Sequence, residues 1–284
     1  MNNLSDISTI KSILSRHGFN FSKSLGQNFL IDPSVCPRMA EECGADTNTG
    51  VIEVGPGVGV LTCELAKRAG KVIAVELDKK LLPVLSETLA EFKNVTIRND
   101  DILKVDLQEL IQTEFAGMDV IVCANLPYYI TSPVIMRLLE EKLPIQSLTV
   151  MVQKEAAERI CAMPGKRECG AVSVAVRYYA EPEILFPVKR TSFLPAPHVD
   201  SAVIRLTVRP SAEIAVRDEK QFFSVVKAAF GQRRKTVLNS VSAGLSLSKE
   251  KVGTALQRAQ IAPTARAEQL SMEQFSQLAN ALLE

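Results

Sequence analysis

Histidine is scarce in this chain of 284 residues: there are two, His17 and His198. Six cysteines stand at positions 36, 43, 63, 123, 161 and 169, and none forms a CxxC pair. Structural zinc draws on clustered Cys and His, so a zinc site is not expected, and a reducing, cytoplasmic compartment is. Cys63 and Cys123 fall inside apolar patterns and read as small core residues. Charge of one sign is also missing in bulk. The net charge is +1, so any surface for a nucleic acid must be a local patch. Long apolar runs are absent too. The longest uncharged stretch, Val120–Met136, falls short of the ~20 residues a membrane helix needs, and it contains Asn125, two prolines and two tyrosines. The opening "MNNLSDISTIKSILSRHGF" is amphipathic and mixed in charge, without the apolar core or cleavage site of a signal peptide. No low-complexity segment and no internal repeat stands out.

What is present is the balance of a soluble globular protein, 46% hydrophobic and 23% charged, long enough for two domains. From Val51 to Val152, short β-branched runs alternate with amphipathic segments. Strands are expected at Val51–Val54, Lys71–Val75, Val95–Arg98, Val120–Cys123 and Leu148–Val152. Between them "GVLTCELAKRAG", "KKLLPVLSETLAEF", "LQELIQTEF" and "SPVIMRLLEEK" read as helices. That alternation predicts an α/β fold with a parallel sheet covered on both faces and a ligand at the carboxyl ends of its strands. Beyond Val152, "QKEAAERICAMPGK" reads as a helix ended by Pro-Gly, while "AVSVAVRYYA" fits helix or strand equally. "EILFPV" and "SAVIRLTV" read as two late strands, a hairpin-like pair that finishes the sheet. From Pro210 onward the segments look helical, which puts a domain boundary near residues 208–217.

The stretch "VIEVGPGVGVLTCELAKRAGKVIAVELD" carries the most chemistry. A strand ends in Glu53-Val54, and Gly55-Pro56-Gly57-Val58-Gly59 then turns the chain into a helix, where glycine permits a tight turn and close backbone approach to a ligand. About twenty residues on, "KVIAVE" ends in Glu76, an acid able to bond both hydroxyls of a ribose. "VTIRNDD" ends in Asp100-Asp101, where an acid can accept from an adenine amine. The spacing is GxGxG rather than GxGxxG, and no phosphate-binding lysine follows. Two acids at successive strand ends suit a ligand with ribose and adenine but no phosphates. S-adenosylmethionine fits that description, and a nicotinamide enzyme is the main rival.

"VIVCANLPYYITSP" follows the next strand. An exocyclic amine on an aromatic base is a poor nucleophile because its lone pair is delocalised into the ring. Two acceptors, the Asn125 side-chain oxygen and the Leu126 backbone carbonyl, would take its two N–H groups, favour a pyramidal nitrogen and strengthen as positive charge develops there. Pro127 stiffens the loop, and Tyr128 offers a face for stacking, worth roughly 1–3 kcal/mol per base. Tyr129 has no evident role and reads as core. An isolated Asn-x-Pro-Tyr is more often a plain turn; the glycine loop and the two acids tip the balance.

Taken together, "KSLGQNFL", "EVGPGVGVLT", "VIAVELD", "NDD", "NLPYYITSPV", "MVQKEAAERI", "FLPAPHVDSAV" and "GQRRKTVLNS" resemble the small-subunit ribosomal RNA adenine dimethyltransferases of the KsgA/RsmA type over most of the chain. The resemblance implies a class I S-adenosylmethionine-dependent methyltransferase fold: a Rossmann-like domain over residues 1–210 with a mostly parallel seven-stranded sheet, and a small all-α, RNA-binding C-terminal domain over residues 211–284. It implies a segment over residues 1–32 that covers the cofactor. It implies dimethylation of the N6 amines of two adjacent adenosines in the 3′-terminal helix loop of 16S rRNA, within the 30S subunit or its precursor, by a monomer with no membrane attachment and no metal, releasing S-adenosylhomocysteine. On the cofactor side it implies Asn28, Leu30, Gly55, Gly57, Glu76, Leu77, Asp101, Ile102 and Asn125. On the target side it implies Asn125, Leu126 and Tyr128, with Phe193 on the opposite face of the base, which must leave its stack to reach the pocket.

The resemblance also implies phosphate contacts from Arg233, Arg234 and Lys235, a run that otherwise reads as a solvated helix face at the start of the helical domain. Lys154, Arg159, Lys166, Arg167, Lys189 and Arg190 are further candidates for that surface. In one place the chain departs from the family pattern: Cys169 stands before Gly170 where an aromatic residue is expected. Three rivals differ by readable features. An Erm-type enzyme for large-subunit rRNA has Ile at the second position of the Asn-x-Pro-Tyr motif and lacks "GQRRKT". A protein-glutamine methyltransferase has proline where Leu126 stands and no use for a basic helical domain. A non-enzymatic assembly factor needs no intact cofactor motifs.

Overall fold

The computed structural model describes residues 4, 6–19 and 28–284. Residues 23–27 of the "KSLGQNFL" run, and with them part of the expected covering segment, lie outside the described residues. In chain order the strands are β1 (Phe29–Leu30), β2 (Thr49–Val54), β3 (Lys71–Val75), β4 (Val95–Arg98), β5 (Asp119–Asn125), β6 (Ser147–Gln153), β7 (Ala180–Val188), β8 (Phe193–Leu194) and β9 (Ser201–Val208). Seven of them form one sheet in the order β4-β3-β2-β5-β6-β9-β7. The pairs from β4 to β6 are parallel and β9 runs antiparallel to β6. All six residues of β2 are buried, as a central strand covered on both faces requires. The two late strands expected from "EILFPV" and "SAVIRLTV" are neighbours in the sheet, with β9 between β6 and β7.

The chain falls into two compact units: residues up to Ala157 with Glu183–Val208, and Glu158–Pro182 with Arg209–Glu284. In the first, helices α1 (Ile7–Arg16), α2 (Val35–Glu42), α3 (Val60–Ala66), α4 (Leu82–Thr88), α5 (Leu107–Glu114) and α6 (Thr131–Glu140) accompany the sheet. One core packs Met39 and Ala40 of α2 and Leu65 of α3 on Val51, Val72 and Cys123 of the strands. A second packs Ile10, Ile13 and Leu14 of α1 on Val84 and Leu85 of α4, together with Phe29 and Val58. Each fully buried aliphatic side chain contributes ~1.5–3 kcal/mol. Cys123 is core as expected, whereas Cys63 is half-buried.

Helix α7 (Lys154–Ile160) stops short of the Pro-Gly expected to end it. The Arg177 guanidinium takes the carbonyls of Cys161 and Ala162 at 3.3 and 3.4 Å and turns the chain there. The segment that fitted helix or strand is both. Ala171–Tyr179 is helix α8, whose entry is fixed by Gly170 N–H donating to Ser173 Oγ at 2.9 Å, and Ala180 opens β7. The second unit continues with α9 (Glu219–Phe230), α10 (Val237–Gly244), α11 (Lys249–Arg258) and α12 (Met272–Leu282). Tyr178 and Tyr179 of α8 meet edge to face at 4.9 Å and pack on Phe222 and Phe223 of α9, while Glu219 Oε1 accepts from Tyr179 Oη at 2.5 Å.

"GQRRKT" is not a helix face. Helix α9 ends at Phe230 and α10 starts only at Val237. Thr236 caps α10 by accepting from Asn239 N–H at 3.4 Å, and Val237 N–H donates to Ala265 O at 2.8 Å. An N-cap threonine takes up a donor that a continuous helix would bond to its own carbonyls, so the chain turns between Gly231 and Thr236.

Candidate functional site

The strand order reverses between β2 and β5: the chain runs outward through β3 and β4, then returns to pair β5 with β2. Register sets Glu53 opposite Cys123, so the loop after β2 and the loop after β5 leave the sheet side by side. A cavity of about 260 Å³ opens at this switch point, where ligands of doubly wound sheets bind. Gly55 and Gly57 hold φ of +67° and +61°, which a side chain rarely adopts. Gly55 N–H donates to Val75 O at 3.0 Å, and a Cβ built on Gly55 would meet nothing within 4 Å, so the backbone there faces open space.

The two acids lie along the same wall. Glu76 is buried, its Oε1 accepts from Asp78 N–H at 2.8 Å, and burial raises its carboxyl pKa against those hydrogen bonds. Asp101 Oδ1 accepts from Leu103 N–H at 3.0 Å, and Oδ2 lies 3.4 Å from Lys104 Nζ. Beside them stand two apolar residues, Ile102, buried, and Leu77, 51% exposed. Asn99 Nδ2 donates to Glu76 O at 2.7 Å and so ties the ends of β3 and β4 together. On the far rim, β1 pairs antiparallel with β8, setting Leu30 opposite Phe193, with Asn28 just before the strand; all three residues line the cavity.

Asn125 is the last residue of β5, held opposite Met151 of β6. Leu126 N–H donates to Met151 O at 3.3 Å and its side chain is buried, which fixes the backbone that carries its carbonyl. Among the described residues the Asn125 side-chain amide has no hydrogen-bond partner, although Asn125 lines the cavity. Tyr128 follows in a short 3-10 turn, Tyr128–Ile130. Its hydroxyl shares a hydrogen bond with Ser201 Oγ at 2.8 Å, and burial raises its pKa. All twelve residues named for cofactor and target therefore line one cavity, including Phe193, which is 3% exposed. Tyr129 is not core: it is 55% exposed and lines the same cavity.

Sequence reasoning passed over Glu53. It is 1% exposed, lines the cavity, and neither its Oε2 nor the nearby Thr62 Oγ1 has a hydrogen-bond partner among the described residues. Burial pushes its carboxyl up to about 8 from the usual 4.5, and the Glu76 carboxylate adds to the rise. The signal was readable: an acid inside an otherwise apolar strand end. Ser201, which orients Tyr128, left no signal, because its partner lies 73 positions away.

The basic candidates divide between the units. Lys154, Lys189 and Arg190 are exposed in the first, and Arg159, Lys166, Arg167, Arg233, Arg234 and Lys235 are exposed in the second. Arg167, Arg233 and Lys235 line one polar cavity in the second unit together with Glu268 and the buried Cys169; Arg234 does not. Among the described residues no group of three or more His, Cys, Asp or Glu could hold a metal ion, and no helix is long and apolar enough to cross a membrane.

The family model described as "Ribosomal RNA adenine dimethylase" matches residues 18–284. The chain is 49% identical over 287 residues to "Ribosomal RNA small subunit methyltransferase A" of Bacillus mycoides (strain KBAB4), covering 99% of this chain and 98% of that one. It is 50% identical over 277 residues to the protein of the same name from Geobacillus thermodenitrificans (strain NG80-2), covering 96% and 94%. Among solved structures, that of the 23S rRNA methyltransferase ErmE matches with a TM-score of 0.68 and 28% identity, covering 90% of this chain and 100% of that one. A dimethyladenosine transferase from Plasmodium falciparum shares the fold at a TM-score of 0.72 and 23% identity, covering 88% and 95%.

Proposed function

The chain belongs to the ribosomal RNA adenine dimethylase family, and from that premise we propose that it dimethylates the N6 amines of two adjacent adenosines in the 3′-terminal helix loop of 16S rRNA. The substrate on this reading is the 30S subunit or its precursor, and the enzyme works as a cytoplasmic monomer without a metal. The observation that carries the reading is the unpartnered Asn125 amide at the strand-order switch, in one cavity with the glycine turn and Tyr128. The identity of about one half with proteins named for the small subunit, against 28% with the 23S enzyme, favours 16S over 23S rRNA.

The cavity suits S-adenosylmethionine. Glu76 would hold the ribose hydroxyls, Asp101 the adenine amine, Leu77 and Ile102 the faces of the adenine ring, and the Gly55–Gly57 backbone the methionine end, with Asn28 and Leu30 at the rim. When bound, S-adenosylmethionine supplies an electrophilic methyl group. The chain's own contribution is to hold the amine. Asn125 Oδ1 and the Leu126 carbonyl accept its two N–H groups, the lone pair turns out of the ring plane, and the same two acceptors stabilise the positive charge that grows on nitrogen. Tyr128 and Phe193 keep the flipped base from turning, which supplies the alignment on which displacement depends. Anchoring Tyr128 to Ser201 means that its ring orientation is set before the base arrives.

Purified protein given radiolabelled S-adenosylmethionine and unmethylated 30S particles is expected to form dimethyladenosine near the 3′ end of 16S rRNA. Label confined to 23S rRNA, or to protein, would overturn the reading. Arg233, Arg234 and Lys235 sit exposed in the α9–α10 turn, where they would contact phosphates. Replacing both arginines, Arg233→Glu with Arg234→Glu, should weaken 30S binding about 10–100-fold at low salt and lower the slope of log affinity against log salt by about 2. Filter binding across a salt series measures both, and an unchanged slope would remove these residues from the interface.

A further inference from the structure

Arg137, on α6, is absent from every set of residues discussed so far, yet it joins two walls of the cavity. Its Nη2 donates to Val105 O at 2.7 Å, its Nη1 donates to Ile102 O, and its Nε donates to Glu141 Oε1 at 2.6 Å. The side chain is 18% exposed, so these bonds are shielded from water. Ile102 and Val105 belong to the turn between β4 and α5 that begins at Asp101. Inside that turn, Asp101 O accepts from Lys104 N–H at 2.8 Å and Val105 N–H at 3.0 Å, and Asp101 Oδ1 accepts from Leu103 N–H. The guanidinium thus grips the turn from outside at the carbonyls that its internal bonds leave over.

The same helix carries the other wall. α6 starts at Thr131, directly after the turn that holds Tyr128. One planar cation therefore fixes the distance between the wall bearing Asp101 and Ile102 and the element leading out of the Asn125–Tyr128 loop. A guanidinium suits this task because its fork reaches two carbonyls at once and stays charged. The turn has no other side-chain donor on these two carbonyls among the described residues.

We propose that Arg137 is a positioning residue that sets the specificity of the cavity for an adenosyl group, by holding the Asp101–Ile102 edge where Asp101 meets the adenine amine. The inference rests on the assignment of Asp101 made above. Arg137 touches neither ligand nor reacting atoms; its effect passes through the turn. Loss of its two carbonyl bonds frees the turn, so Asp101 no longer presents a fixed acceptor, and the penalty for a base without an amine disappears together with the benefit of having one.

The test is calorimetric binding of S-adenosylhomocysteine and of its inosyl analogue, which carries an exocyclic carbonyl oxygen where adenine has its amine. Wild type should prefer the adenosyl compound by about tenfold or more. Arg137→Met should lose about tenfold to thirtyfold in affinity for the adenosyl compound, little for the inosyl one, so that the preference collapses. Arg137→Lys, with one reaching donor group in place of a fork, should recover part of it. In turnover with 30S particles the loss should appear in KM for the methyl donor, with kcat within about threefold of wild type. Equal loss for both compounds, or a preference kept in Arg137→Met, would reduce Arg137 to a structural role and overturn the proposal. A wild type without any preference would overturn the Asp101 assignment and this inference with it. Should Arg137→Met melt below the assay temperature, Arg137→Lys carries the same comparison.

Discussion

Asn125→Ala is expected to lower methyl transfer to 30S particles by about 10²–10³-fold while leaving 30S binding within about twofold. The size follows from what the residue does. Its amide oxygen is one of two acceptors proposed for the target amine, and their contribution grows as the nitrogen becomes positive, so its loss falls on kcat. The change is cheap for the fold. The Asn125 side chain satisfies no partner among the described residues, and the backbone pairing of β5 with β6 at this position needs no particular side chain. Single-turnover transfer and particle binding measured on the same preparation separate the two effects. Transfer that survives the substitution would remove the hydrogen-bond account of activation.

Glu53→Gln is expected to stabilise the ligand-free protein, and to do so more in mild alkali than in mild acid. Buried without a hydrogen-bond partner on Oε2, the Glu53 carboxyl stays neutral to about pH 8, whereas in the unfolded chain it ionises near 4.5. Between those values the folded state binds one more proton than the unfolded state, so raising the pH favours unfolding. Gln is neutral at every pH and close in shape. The stability difference, variant minus wild type, should therefore grow by about 3 kcal/mol from about pH 5.5 to about pH 8.5. Urea unfolding at the two pH values measures it. The same difference at both would mean that Glu53 is ionised in the folded protein, with its charge met by a group outside this account.

The strands were legible because burial on both faces writes itself as β-branched runs. The expected Lys71–Val75 and Val95–Arg98 coincide with β3 and β4. The glycine turn and the acids that end β3 and β4 were legible because each lies within a few residues of the strand that places it. Three features were not. Phe193 pairs with Leu30 across more than 160 positions, and no local periodicity encodes a partner at that range. Tyr129 sits beside Tyr128 in the same short turn, yet one ring is tethered to Ser201 and the other faces out, a difference set by a strand 70 residues on. "GQRRKT" was read by its charge, which suits a helix face, while the cap residue that ends its helical character, Thr236, was in plain view.

The ribbon between Phe29–Leu30 and Phe193–Leu194 has a consequence for the order in which the molecule can be made. A chain leaving the ribosome exposes the first strand of this rim early and its partner only after two thirds of synthesis, and β6 likewise waits for β9 to cover its open edge. Long-range pairings of this kind close late. A nascent chain halted before Phe193 would hold the glycine turn and both acids but lack one side of the cavity. Ligand binding thus becomes a property of a polypeptide that has passed two thirds of its synthesis, and the complete cavity exists only from that point on.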